Sequence, residues 1–230
     1  MTANRGGAIA WNALRLAVAG LIIAAIVAQF ISSVDGAVAN GRHVPTIVAN
    51  FFSFFTILSN VAAAVVLLIV GGRALARRRV LEPDPRPLAT ALAWASTYMI
   101  VTGVVYNVLL RGLPLQPETV PWSNEVMHVW GPLFLLLDLL FGPGRRRLPR
   151  TASLGAAIFP LLWIGYTLLR APLITNPTTG ASSWYPYPFL NPANGGWGSV
   201  AAYIVVIAVV IVGVAFGAVA LGRARGIRST

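Results

Sequence analysis

Apolar and polar positions alternate along this chain in long blocks: six apolar stretches, each long enough to cross a hydrocarbon layer as a helix, stand between short polar or proline-bearing segments. A bilayer core about 30 Å thick takes roughly 20 helical residues, because lipid offers backbone groups no partner outside the helix. The pattern predicts spans at Trp11 to Ile31, Asn50 to Val70, Leu88 to Leu110, Glu125 to Phe141, Thr151 to Leu169, and Trp197 to Leu221. This is an all-α polytopic membrane protein, one six-helix domain over residues 1–230. Asn50 is a good N-cap, and the second span is set to start there rather than at Pro45.

Charge adds an orientation. All 17 basic residues are Arg, against six acidic ones, for a net charge of +11. Fourteen Arg (5, 15, 73, 77, 78, 79, 86, 145, 146, 147, 150, 223, 225 and 228) fall on one set of alternating connections, and only Arg42, Arg111 and Arg170 on the other. The positive-inside rule then places both termini in the cytoplasm, in a cytoplasmic membrane. Arg15 interrupts the first span and is expected to extend its stem to the headgroups. The first run followed by Ala37-Val38-Ala39 shares features with a cleaved secretory signal, but its length favours a retained helix. Trp11, Trp122, Trp184 and Trp197 are expected at the interfaces, and Gly213 and Gly217 in packing within the chain.

Composition excludes several classes. Charged residues make up only 10%, where a soluble domain carries roughly 25%. The Arg residues build no stripe interleaved with aromatics, so nucleic acid is not an expected partner; membrane lipids are. With no Cys and two His, thiol chemistry is excluded and a closed metal site lacks ligands. No phosphate-binding or dinucleotide fingerprint occurs, and no cofactor is expected.

Polar groups at membrane depth carry the chemistry, because each costs free energy unless it faces protein or a wet cavity. In the second span, Ser53, Thr56 and Asn60 fall within about 60° on one helix face. The third offers Tyr98, Thr102 and Tyr106 at four-residue steps, with Asn107 beside them. The fourth carries His128, three residues after Glu125 and shortly before Pro132, whose missing amide weakens the helical ladder. A neutral imidazole there suits a general base for the Thr56 hydroxyl, with Ser53, Asn60, Tyr106 or Asn107 lining the substrate or donating to a developing oxyanion, and Glu125 orienting the ring. Against this stands the common fate of a membrane threonine, a bond back to the carbonyl four residues earlier, that of Phe52. Asn60 likewise reads as helix-to-helix glue, and Asp138 as an inner-edge carboxylate near Arg145 to Arg147. The aromatic, proline-rich connection at 170–196 either caps a cavity or docks on the bilayer.

Three segments, FFSFFTILSN (Phe51 to Asn60), EVMHVWGPLFLLLDLLF (Glu125 to Phe141) and YPYPFLNPANGGWG (Tyr185 to Gly198), resemble the androgen-induced-gene-one-like (FAR-seventeen-a-like) family of six-span membrane proteins. Within it, they are similar to the actinobacterial Pr-six-Pr branch, although Phe54 stands where bacterial relatives often have Tyr. The resemblance implies a six-helix fold and, by analogy with the animal members, hydrolysis of a fatty-acyl ester by an intramembrane Thr and His, roles that fall on Thr56 and His128. The expected activity is therefore an intramembrane threonine hydrolase of a lipid ester. The alternatives are a non-catalytic lipid-binding or regulatory protein and a proton-coupled transporter using His128 and Asp138, for which Leu133 to Leu137 offers no polar path.

Overall fold

A computed structural model of the chain describes residues 5–78 and 80–225. Arg79 and Arg228, counted above with the Arg-rich connections, lie outside the described residues. Among these the regular elements are helices, and six are long and apolar enough to cross a membrane: Arg5–Ala39, Phe55–Ala76, Arg86–Leu110, Pro121–Phe141, Thr151–Leu173 and Gly196–Ala224. That is the architecture of a multi-pass membrane protein. The first four spans share one core, in which Ala19, Ala25, Ala63 and Ala64 let the backbones approach while Ile22, Leu67, Met99 and Leu135 fill the space. Aromatic side chains hold the fifth and sixth spans to this core, with Phe55, Tyr98 and Tyr187 at their centre.

The first span runs well beyond its expected end because its last turns hold the connection before the fourth. Gln29 and Ser32 donate to the carbonyl of Glu118 at 3.0 and 2.8 Å, and the Val120 amide donates to Gln29 at 2.9 Å. Ala37 is buried within this helix.

The second span is broken, contrary to the start expected at Asn50. Pro45 begins a short helix, Val44–Phe51, whose last residue is Phe51, and Phe55–Ala76 starts afresh after Phe52, Ser53 and Phe54. The aromatic run pulls the chain in several directions. Phe51 packs edge-on against Phe30, Phe54 against Trp184 and Tyr187, and Phe55 against Tyr98 and Trp163. Each such pair contributes about 0.5–1.5 kcal/mol beyond simple burial.

At the Arg-rich end the structure corrects two readings. Arg15 does not reach for headgroups: it is 1% exposed, and its Nε donates to the fully buried Asp138 at 2.8 Å. Trp11 is not an interfacial anchor, since its indole N–H donates to the same carboxylate at 2.6 Å. Arg145 completes the cluster at 2.8 Å. Gly142 fits here because a Cβ would stand 2.5 Å from the Asp138 carbonyl and 2.8 Å from the Arg15 guanidinium. A third correction concerns Gly213 and Gly217, which face outward with open space beyond them rather than a packed neighbour. Trp122 and Trp197 are exposed, as interfacial residues would be.

Candidate active site

Thr56 is the second residue of the helix that begins at Phe55. Its hydroxyl does not make the expected bond back to Phe52, where the preceding helix has already ended. Instead Oγ1 lies 3.2 Å from Nε2 of His128 and 3.2 Å from the hydroxyl of Tyr187. The Thr56 backbone N–H, one of the amides that a helix start leaves unpaired, donates to the same Tyr187 oxygen at 3.2 Å.

Carbonyl chemistry fixes the polarity of this chain of bonds. Nδ1 of His128 lies 2.9 Å from the carbonyl oxygen of Asn124, which can only accept. The proton of the neutral ring therefore sits on Nδ1, and Nε2 is left as an acceptor. Thr56 donates its hydroxyl proton to Nε2, and Tyr187 donates to Thr56 Oγ1. Burial pushes the Tyr187 hydroxyl above the ordinary tyrosine range, with the Thr56 hydrogen bonds pulling the other way. It remains a protonated donor at neutral pH.

The position of His128 follows from Pro132. Over Val126–Trp130 the helix widens into a π turn, and the amide of Gly131 bonds the carbonyl of Val126, five residues back. Proline has no N–H, so neither Met127 in the widened register nor His128 in the ordinary one can receive a bond from position 132. Two side-chain amides supply what is missing. Asn60 donates to the Met127 carbonyl at 3.1 Å, and Asn107 to the His128 carbonyl at 3.3 Å. Gly103 makes room, since a Cβ there would stand 2.8 Å from Pro132.

A second π turn, Tyr106–Leu110, faces the first. The Tyr106 ring stacks on the His128 imidazole with centroids 4.0 Å apart, and its hydroxyl accepts from the Asn124 side chain at 2.6 Å. The imidazole is thus held on one face by a ring, at Nδ1 by a carbonyl, and at Nε2 by Thr56.

Of the other sequence candidates, Asn60 and Asn107 spend their amides on backbone carbonyls rather than standing free for an oxyanion, and Tyr106 holds the imidazole. Ser53 donates to the carbonyl of Ala49 at 2.7 Å and lies 3.0 Å from the Tyr166 hydroxyl, on the helix break. Asn60 also donates to the Thr56 carbonyl of its own helix at 2.9 Å, and its bond to Met127 makes it the glue between helices that its position suggested. Glu125 does not orient the imidazole: it turns to the surface and pairs with Arg111 at 2.8 Å, both half exposed. Ring orientation comes from the Asn124 backbone, for which no side-chain pattern gives a signal. Tyr187 was signalled only by the rigid proline-spaced aromatics around it. Of the two roles weighed for that connection, the structure has it capping the site.

Thr56 stands at a wall between two chambers. The inner one, about 280 Å³, lies between the third, fifth and sixth spans and is lined by apolar groups such as Val105, Trp163, Ile207 and Ile211. The outer one, about 570 Å³, opens toward the Arg-poor end and includes Arg42, Asn50, Gln116, Glu118 and Asn191. Thr56, Tyr106, Leu110 and Tyr187 belong to both, whereas His128 lines only the outer one. Comparison with protein-family models, curated proteins and solved structures returns no match to this chain.

Proposed function

We propose that this protein is an intramembrane hydrolase of a fatty-acyl ester, with Thr56 as nucleophile and His128 as general base. The observation that carries this reading is the contact of Thr56 Oγ1 with an imidazole nitrogen whose tautomer leaves it free to accept a proton. The Thr56 oxygen attacks the acyl carbon, and its proton passes to Nε2. The charge that forms on the carbonyl oxygen is met by the Tyr187 O–H as it turns from Thr56 Oγ1, and by the Thr56 N–H that the Tyr187 oxygen then releases. His128 returns the proton to the leaving alkoxide as the C–O bond breaks. Water, deprotonated by the same imidazole, then attacks the acyl-threonine, and the threonine oxygen leaves with that proton.

The same reading extends to the family and the location. The order of the three matching segments supports membership in the androgen-induced-gene-one-like family. The Arg distribution supports a bacterial cytoplasmic membrane with the Arg-rich end inside and the site opening outward. Labelling of the detergent-purified chain by an acyl-hydrolase probe, with ester turnover measured in parallel, tests the chemistry. Thr56→Ala and His128→Ala are expected to abolish labelling and to lower turnover by about 10³-fold or more. Equal labelling and turnover in all three proteins would refute the assignment.

The existence of an apolar chamber beside Thr56 also favours a second reading, a non-catalytic lipid-binding protein. In that case no probe labels the chain, and Thr56→Ala lowers the melting temperature without changing lipid retention.

A further inference from the structure

The two chambers differ in chemistry and in their relation to the imidazole. An ester bound across Thr56 can lie in only two ways, with its acyl chain inward or outward. His128 decides between them, because the group that leaves must take its proton from Nε2, and His128 lines only the outer chamber. The alcohol therefore leaves into the outer chamber, and the acyl chain remains inside. Water for the second step enters from the same outer side.

The lining of the outer chamber says what kind of alcohol it holds. Its cation, Arg42, is already paired with Glu118 at 2.7 Å, so no uncompensated charge awaits a carboxylate or phosphate. The rest of the wall mixes aromatic, aliphatic and proline side chains with amides and hydroxyls, among them Gln116, Thr178, Asn191 and Asn194, polar groups that the inner chamber lacks apart from the hydroxyls around Thr56. Asn50 is buried at this wall with its Oδ1 taken by Arg170 at 2.7 Å, and its Nδ2 has no partner among the described residues. A buried amide donor without a partner is costly, and a hydroxyl or carbonyl oxygen relieves it.

We infer that the substrate is a single-chain acyl ester of a neutral polyol, bound with its acyl chain in the inner chamber and its hydroxyl-bearing part against Asn50 and the outer amides. This rests on the hydrolase reading and names its substrate class. Esters with two or three long chains fit the scheme less well, because a second chain would have to lie against the amides of the outer chamber and leave Asn50 without a partner.

The test uses the full chain in detergent with three probes: a long-chain monoacylglycerol, an acyl ester of a hydroxy fatty acid, and a triacylglycerol. Turnover is measured alongside retention of each probe by Thr56→Ala, read by native mass spectrometry. Monoacylglycerol is expected to be hydrolysed at least about tenfold faster than the other two. Ala208→Phe, which narrows the inner chamber, is expected to lower long-chain turnover relative to short-chain turnover by a similar factor. Faster turnover of the hydroxy-fatty-acid ester or the triacylglycerol overturns the substrate assignment while leaving the hydrolase reading intact. Loss of all turnover, with monoacylglycerol retained by Thr56→Ala and released by Ala208→Phe, overturns catalysis but keeps the ligand class. Neither turnover nor retention overturns both.

Discussion

At the scale of single residues, the site depends on one hydroxyl that the chemistry of the nucleophile and base did not require in advance. Tyr187 accepts from the Thr56 amide and donates to its side chain, and its ring is packed among Phe54, Trp163 and Phe189. Tyr187→Phe keeps that packing and removes only the donor. Ester turnover is expected to fall about a hundredfold with little change in melting temperature. A variant with full turnover would remove the hydroxyl from the mechanism. The meeting of Thr56 and His128 was legible in the sequence, because two polar groups stranded at similar depth in apolar helices have few other partners. Their supports were not. The Asn124 contact is a backbone carbonyl, and Tyr187 comes from a connection 131 positions away in sequence, which no periodicity links to the second span.

At the scale of elements, proline acts through what it withholds. A sequence reading predicts a kink at Pro132; the structure shows a π turn just before it, with two carbonyls handed to side chains from neighbouring helices. Pro132→Ala restores the missing donor, and a helix-interior proline costs about 3 kcal/mol, so the variant is expected to be at least as stable as the parent chain. The fourth helix then regains ordinary register through His128 and turns the imidazole away from Thr56. Turnover should drop at least about tenfold while the melting temperature holds or rises; unchanged turnover would show that the π turn does not position the base. Helix ends were the least legible feature. The span boundaries follow hydropathy, whereas the break at Phe52 to Phe54 follows tertiary aromatic contacts that the FFSFF run alone cannot specify.

At the scale of the whole molecule, the two ends of the bundle divide the labour. One end carries the site, with Arg42 and Arg111 paired to Glu118 and Glu125 and Arg170 bonded to Asn50; the other is closed by a charged cluster around Asp138. Asp84, in the connection between the second and third spans, adjoins that cluster. Burial pushes its carboxyl up to about 6, with Arg15, Arg145 and Arg73 pulling the other way. A carboxyl raised above its unfolded value binds its proton more tightly in the folded chain. It therefore adds stability as pH falls from about 6 toward 4 and withholds it above that window. Asp84→Asn is expected to melt higher than the parent chain near pH 8, with the difference shrinking to nothing near pH 4. A lower melting temperature at the higher pH would show that the neighbouring Arg residues outweigh burial.

The pairing of Arg15 with Asp138 also has a bearing on how the chain is made. The two partners lie 123 positions apart, so at about 5–20 residues per second a ribosome releases the acid on the order of ten seconds after the base. During that delay the first helix carries a guanidinium without its counter-ion, and water, headgroups or the insertion machinery must shelter it. Delivery of the fourth helix ends the wait, and the electrostatic clasp that forms locks the beginning of the polypeptide to its middle before the last two helices arrive.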